Sequence, residues 1–253
     1  MITTVAGNGV LGYSPDGPAT GVAIDPYAGI AVDAGGNIYF NDTFNNIVRK
    51  ITPDGNLTTI VGTGKAGSAG DNQPAVQAQL NNPSGLALDA SGNIYISDSL
   101  NHKVRMVSSS KGTIATIVGS GPAGSTGDGG SALSATLVFP AGLALDAKGN
   151  LYISDDVANN VRMVNTGQII TTIAGTGTQG FSGDNGAATK AALSAPFGIS
   201  VDPTGNAYIA DSGNYRLRKV ANAAAAGATI TTAAGNATFR FGGDGFPAVD
   251  AQL

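Results

Sequence analysis

The stretch GLALDASGNIYISDSLNHKVRMV, residues 85–107, decides the fold because the chain writes it four times. It returns as GIAVDAGGNIYFNDTFNNIVRKI at 29–51, GLALDAKGNLYISDDVANNVRMV at 142–164 and GISVDPTGNAYIADSGNYRLRKV at 198–220. Its marker aspartates Asp33, Asp89, Asp146 and Asp202 stand 56, 57 and 56 residues apart, so the repeat accounts for nearly the whole chain. A fixed period of this length belongs to propellers, solenoids or arrays, whose units bury their apolar faces against one another.

Each copy reads as four strands. In the second they are 85–89, 93–98, 103–107 and 113–119, short runs rich in β-branched and aromatic residues and bounded by Gly, Asn, Asp or Ser. A Gly-Asn pair joins the first two strands in every copy, at 36–37, 92–93, 149–150 and 205–206, and both residue types tolerate the positive φ of a tight hairpin. Four antiparallel strands per unit make a propeller blade. Weak apolar–polar alternation fits strands covered on both faces.

Composition agrees. The 253 residues are 42% apolar and only 12% charged, every acidic residue is aspartate, and 38 glycines supply turns. A net charge of −4 with no clustered basic face points away from nucleic acid and anionic membranes. No cysteine is present, so disulfides, thiolate metal sites and cysteine nucleophiles drop out, and no apolar run reaches membrane-spanning length. The N-terminus lacks the charged and apolar regions of an export signal.

The pattern P-x-G-hydrophobic-A-hydrophobic-D-x-x-G-N-x-Y-x-x-D-x-x-N-x-x-hydrophobic-R-K-V, followed by TTIAG-like strands and a GDGGPA-like linker, resembles the long form of the NHL repeat over essentially the entire chain. Two positions depart from it: Pro26 falls one residue early, and Ala158 replaces the Asn of Asn45, Asn101 and Asn214. The resemblance implies a β-propeller, commonly six-bladed, serving as a recognition platform in secreted or surface proteins, bacterial extracellular proteins and teneurins among them. The expected architecture is all-β, one domain of four complete blades plus a partial repeat, with units at about 2–56, 57–113, 114–169, 170–229 and a remainder at 230–253. Residues 2–6 read as an orphan fourth strand, which makes the chain a fragment of a larger ring whose open blade edges invite self-association.

Long linkers at 62–84, 119–141 and 175–197, and again from 235, each carry one aspartate (Asp71, Asp128, Asp184, Asp244) ahead of A-x-x-A-x-L. That spacing predicts an aspartate capping one helical turn. Calcium is the sharper alternative, but one carboxylate per loop falls short of 6 to 8 oxygen ligands. Asp42, Asp98, Asp155 and Asp211 each precede an arginine (Arg49, Arg105, Arg162, Arg218) by seven residues. Their recurrence in every copy favours structure: turn hydrogen bonds for the aspartate and a blade-interface ion pair for the arginine. Tyr39, Tyr95, Tyr152 and Tyr208 read as packed strand residues with bonded hydroxyls.

Candidate binding residues are those that differ between copies on the face built by the second-to-third-strand turns and the linkers: Phe44, His102, Asp156 and Tyr215 from the turns, Lys65, Phe181, Phe239 and Arg240 from the linkers. The reading is a non-catalytic module binding a protein or glycan, with no cofactor and no metal. The alternative is an enzyme. The resemblance extends to calcium-dependent lactonases, which could use Asp33, Asp89, Asp146 and Asp202, and to zinc-dependent amidating lyases. A catalytic zinc needs about three ligands and the chain holds one histidine, His102.

Overall fold

A computed structural model describes residues 1–239, 242–243 and 247–253. Arg240 and Asp244 lie outside the described residues. The chain folds as two compact units, Met1–Val118 and Gly119–Leu253, each holding two blades.

Every blade is an antiparallel meander with strands A to D in chain order. They run Ile30–Val32, Ile38–Asp42, Ile47–Ile51 and Asn56–Val61 in the first blade, and Pro83–Leu88, Ile94–Asp98, Lys103–Val107 and Ile114–Val118 in the second. The third has Pro140–Leu145, Leu151–Asp155, Asn160–Val164 and Ile170–Ala174, and the fourth Pro196–Val201, Ala207–Asp211, Arg216–Ala221 and Thr229–Ala234. The only helices among the described residues are single 3-10 turns. The architecture is that of an all-β propeller, as the repeat predicts.

Local chemistry sets the hairpins. In the first blade Asp33 Oδ1 accepts the backbone N–H groups of Gly35 and Asn37, while Oδ2 accepts the Asn37 side-chain amide and the Tyr39 hydroxyl. The same four bonds recur around Asp89, Asp146 and Asp202. One carboxylate thus closes the A–B turn and ties down the tyrosine of strand B. In the first and third blades the tyrosine, Tyr39 or Tyr152, then packs into the apolar seam to the following blade of the same unit.

Within each unit the seam between blades is apolar. Val48, Val61 and Leu80 meet Leu86, Ile94 and Ile96 in the first unit; Val161, Ala174 and Leu193 meet Ala207, Ile209 and Val220 in the second. Full burial of such side chains contributes about 1.5–3 kcal/mol each. Polar stitches fix the register of blade on blade: Asn41 Nδ2 donates to Gly85 O at 3.2 Å, Asn46 Oδ1 accepts the Asn82 N–H at 2.9 Å and Asn159 Oδ1 the Ala195 N–H at 3.0 Å. The glycine of P-x-G exists for this approach. A Cβ on Gly29 would lie 2.3 Å from Asn41 Nδ2 and from Ser84 O, and one on Gly142 would lie 2.4 Å from Phe197 O.

Each linker lies along the outer edge of the blade that follows it. Gly17–Pro18 and Gly186–Ala187 pair with strand D of the first and fourth blades, and bridges Pro74 to Thr113 and Ser131 to Ile169 do the same in the second and third. The outer strand is therefore covered rather than open to pairing with another chain.

Two expectations fail. Residues 2–6 form no strand, because a strand needs a neighbour and no described strand pairs with them. The linker aspartates do not cap: the 3-10 turns Ala75–Gln77, Ala132–Ser134 and Ala188–Lys190 begin after Pro74, Ser131 and Ala187 and have no side-chain cap. Asp71, Asp128 and Asp184 are instead drawn to the buried guanidinium groups of Arg105, Arg162 and Arg218, whose charge is costly to hold away from water.

Candidate functional site

On the face carrying the B–C turns, each strand B ends on a fully buried aspartate. Asp42 accepts the Asp25 N–H at 2.7 Å, the Asn45 side-chain amide at 2.7 Å and Arg49 Nε at 3.1 Å. Asp98 holds Asn81, Asn101 and Arg105, and Asp211 holds Ser194, Asn214 and Arg218, in the same way. The asparagine also donates to a linker carbonyl, Gly12, Gly67 or Gly180, so turn and linker form one body. Ala158 cannot do this. Asp155 takes a second linker N–H instead, accepting from both Val138 and Phe139. Burial pushes Asp98 and Asp155 above the ordinary carboxylate range, against the pull of these donors and of the arginines.

Each arginine is sealed from water and reaches a linker aspartate: Arg49 to Asp16 at 3.5 Å, Arg105 to Asp71 at 2.6 Å, Arg162 to Asp128 at 2.6 Å and Arg218 to Asp184 at 2.8 Å. The Arg105–Asp71 contact is an ion pair set off the line of the N–H bond, since Arg105 Nη2 has no aligned acceptor. Asp16 was hidden in the sequence because YSPDGPATGVAI at 13–24 is a degenerate linker. The signal that could have found it is spacing: Asp16 precedes Arg49 by 33 residues, where the other linker aspartates precede their arginines by 34.

Around this frame lie the residues that vary. In the fourth blade Phe181 lies 3.7 Å from the Arg216 guanidinium and 4.8 Å from that of Arg218, measured to the ring centre. Tyr215 and Phe239 meet with ring centres 5.2 Å apart. All three aromatic side chains are exposed. In the first blade Phe44 meets Tyr27 edge-on at 6.1 Å, and Tyr13 stands 5.1 Å from the Arg49 guanidinium, again with all three rings exposed. Tyr13 and Tyr27 were missed for the same reason as Asp16.

The other candidates scatter. Lys65 is exposed on its linker, and Asp156 is half-buried, with its carboxyl pushed up by burial. His102 is half-buried at a backbone φ of 58°, the left-handed residue that ends the turn Ser99–Asn101. Asn46, Asn159 and Tyr215 hold the same conformation at 56°, 51° and 51°. Asparagine adopts it readily, whereas a bulky tyrosine does so at a cost of order 1–3 kcal/mol. The observed patches therefore stand one in each unit: Tyr13, Tyr27 and Phe44 in the first, Phe181, Tyr215 and Phe239 in the second.

On the hairpin side the four marker carboxylates lie below their ordinary range. For Asp33 the largest cause is the Asn37 side-chain amide; for Asp89 and Asp146 burial pushes upward and the hydrogen bonds together outweigh it. Burial and the Asp33 bond push Tyr39 up to about 12. These carboxylates spend their oxygens on the hairpin. Among the described residues no three His, Cys, Asp or Glu side chains gather closely enough to hold a metal ion.

Comparison with known proteins agrees with this geometry. The model of the teneurin NHL domain matches residues 64–126 and 121–180. The chain is built of NHL repeats. Human teneurin-4 is 30% identical over 234 residues, covering 80% of this chain, and mouse teneurin-1 is 28% identical over 230 residues, covering 81%. The chain spans 8% of the length of these curated relatives. Among solved structures, a Bacteroides thetaiotaomicron protein of unknown function covers 99% of this NHL chain and 68% of its own at 21% identity, with a TM-score of 0.56, which shows the shared fold alone.

Proposed function

We propose that this NHL-repeat chain is a non-catalytic recognition module that binds a protein partner through the turn-and-linker face, in a secreted or cell-surface setting. The single observation that carries the reading is the aromatic and arginine groups of the fourth blade: exposed Phe181 lies under Arg216, and exposed Tyr215, the residue before that arginine, meets exposed Phe239. Arginine and aromatic side chains held on a rigid frame are the groups that supply most binding energy at protein interfaces. The repeated Asp–Arg pairs beneath are consumed in holding that frame. A glycan is the second class of ligand the same rings admit, by stacking on a sugar face. Among the described residues no helix is long and apolar enough to cross a membrane.

The test is a screen of the labelled chain against an array of purified extracellular protein domains and an array of defined glycans, beside the Phe181→Ala/Tyr215→Ala/Phe239→Ala variant. Binding to a protein probe that the variant loses at least tenfold supports the reading. Binding confined to glycans moves the assignment to sugar. Probes captured equally well by the variant, or lactone hydrolysis that calcium switches on and a chelator switches off, overturn it.

A further inference from the structure

We infer that the first blade holds a site for one arginine side chain of a partner polypeptide, in a hollow walled by Tyr13, Asp16, Ile47, Thr59 and Thr63. The site extends the protein-binding reading to a second place, in the first unit and separate from the fourth-blade rings.

The first observation is a repeated nitrogen that the first blade lacks. Tyr13, Ser68, Ser125 and Phe181 each stand three residues ahead of the linker aspartate of their blade, and Ile47, Lys103, Asn160 and Arg216 each open a strand C. In three blades these two positions meet through a nitrogen. Lys103 Nζ donates to Ser68 Oγ at 2.9 Å, Asn160 Nδ2 donates to Ser125 Oγ at 2.8 Å, and the Arg216 guanidinium lies 3.7 Å from the centre of the Phe181 ring. Ile47 is buried and has no nitrogen to send, and beside it a hollow of about 390 Å³ stands open, with Tyr13 60% exposed. The walls come from the first blade's own linker, its strands C and D, and residues 62–64, so nothing ahead of Tyr13 lines the hollow.

The second observation is charge. The sealed arginines of the first, second and fourth blades each pair with two carboxylates. Lys103 and Arg216 restore the balance in the second and fourth blades, whereas the first, with Ile47, is one positive charge short. The shortfall has a place. Asp16 Oδ1 takes Arg49 Nη1 and both the N–H and the hydroxyl of Thr59, while Oδ2 accepts no hydrogen bond from any described residue and the side chain is 46% exposed. In Asp71 and Asp184 the corresponding oxygen is taken by the hydroxyl of Thr116 or Thr232.

The third observation names the group. Phe181 has two guanidinium groups beside it, the sealed Arg218 at 4.8 Å and Arg216 at 3.7 Å; Tyr13 has the sealed Arg49 at 5.1 Å and, among the described residues, no second. Where the linker residue is serine the nitrogen belongs to lysine or asparagine, and where it is aromatic the nitrogen belongs to arginine. The third blade is also short of a positive charge, but Asn160 fills the place and Ser125 offers no ring. A guanidinium on the Tyr13 ring with an edge toward Asp16 Oδ2 would gain a cation–π contact and a charge-assisted hydrogen bond together.

The probe is the acetylated, amidated tripeptide Gly-Arg-Gly, titrated into the isotope-labelled full chain while the backbone amide shifts of Thr59, Gly62 and Thr63 are followed. The expected result is a saturable shift at these amides, weakened about fivefold when citrulline replaces the arginine, which keeps the shape and removes the charge. Tyr13→Ser installs the residue of the second and third blades and should weaken binding about threefold with the rest of the spectrum unchanged. Ile47→Arg puts a guanidinium where the fourth blade has Arg216 and should block the site; if that variant does not fold, Tyr13→Ser decides. The Phe181→Ala/Tyr215→Ala/Phe239→Ala variant should bind the tripeptide as the parent does, so failure here and failure of the fourth-blade site are read separately. The absence of a saturable shift overturns the inference, as does binding indifferent to Tyr13→Ser, or citrulline or lysine bound as tightly as arginine.

Discussion

Replacing Arg105 by methionine should be among the most damaging single changes in the first unit, and the reason is the carboxylate left behind. Arg105 is wholly buried between Asp71 at 2.6 Å and Asp98 at 3.3 Å. Asp71 is 38% exposed and regains water when the arginine goes, but Asp98 is sealed and keeps only its bonds from Asn81 and Asn101. Breaking a buried pair by removing one partner costs about 3–5 kcal/mol, because an uncompensated charge remains. For a domain of this size each kcal/mol lowers the melting temperature by about 3 °C, giving a drop of about 10–15 °C. The double variant Asp98→Asn/Arg105→Met removes the stranded charge, so it should recover about half of that loss, and Asp71→Asn alone should cost only about 1 kcal/mol. Differential scanning calorimetry with urea titration reads all four chains. An Arg105→Met chain within 1 kcal/mol of the parent, or a double variant less stable than Arg105→Met, would refute the argument that Asp98 carries the cost.

The hairpin carboxylates stabilise the fold above the unfolded pKa of about 3.9 and lose that contribution as pH falls through their lower folded values; Asp146→Asn should therefore weaken the chain at pH 7 by a margin that shrinks as pH falls below that value, in melts across the acid range. Asp98 and Asp155 carry the opposite sign, so Asp155→Asn should abolish a loss of stability that sets in as pH rises from the unfolded value of about 3.9 through the higher folded one, read in the same melts. Gly175→Ala would place a Cβ 2.5 Å from Asn159 O at a φ of 92°, and should cost about 2–4 kcal/mol in chemical denaturation. Phe44→Ala removes an exposed ring that meets Tyr27 edge-on, and should change stability by under about 0.5 kcal/mol in the same denaturation.

Sequence carried the blades because their determinants are local: the Asp33, Gly36, Asn37 and Tyr39 set lies within seven residues and closes one hairpin by itself. It failed where partners are distant. Asp71 looked like a cap because its nearest helical turn is four residues on, whereas its partner Arg105 is 34 residues away. For the candidate site, Phe44, Phe181, Tyr215 and Phe239 were visible as departures from the repeat, but the partners of Phe44 and Phe181 are Tyr27 and Arg216, which no spacing rule marks. His102 stood out as the single histidine, yet its place is fixed by a left-handed turn that sequence does not display.

The position of each linker ahead of the blade it edges has a consequence for synthesis. Asp16, Asp71, Asp128 and Asp184 are all made before the arginines they neutralise, and the stretches that cover each strand D are made before that strand. A ribosome that has just released strand D has therefore delivered every charge and edge partner its blade requires, and nothing still to be translated is needed to pair them. Blades of this design can close one after another in the order of the message, with no sealed arginine waiting for its carboxylate.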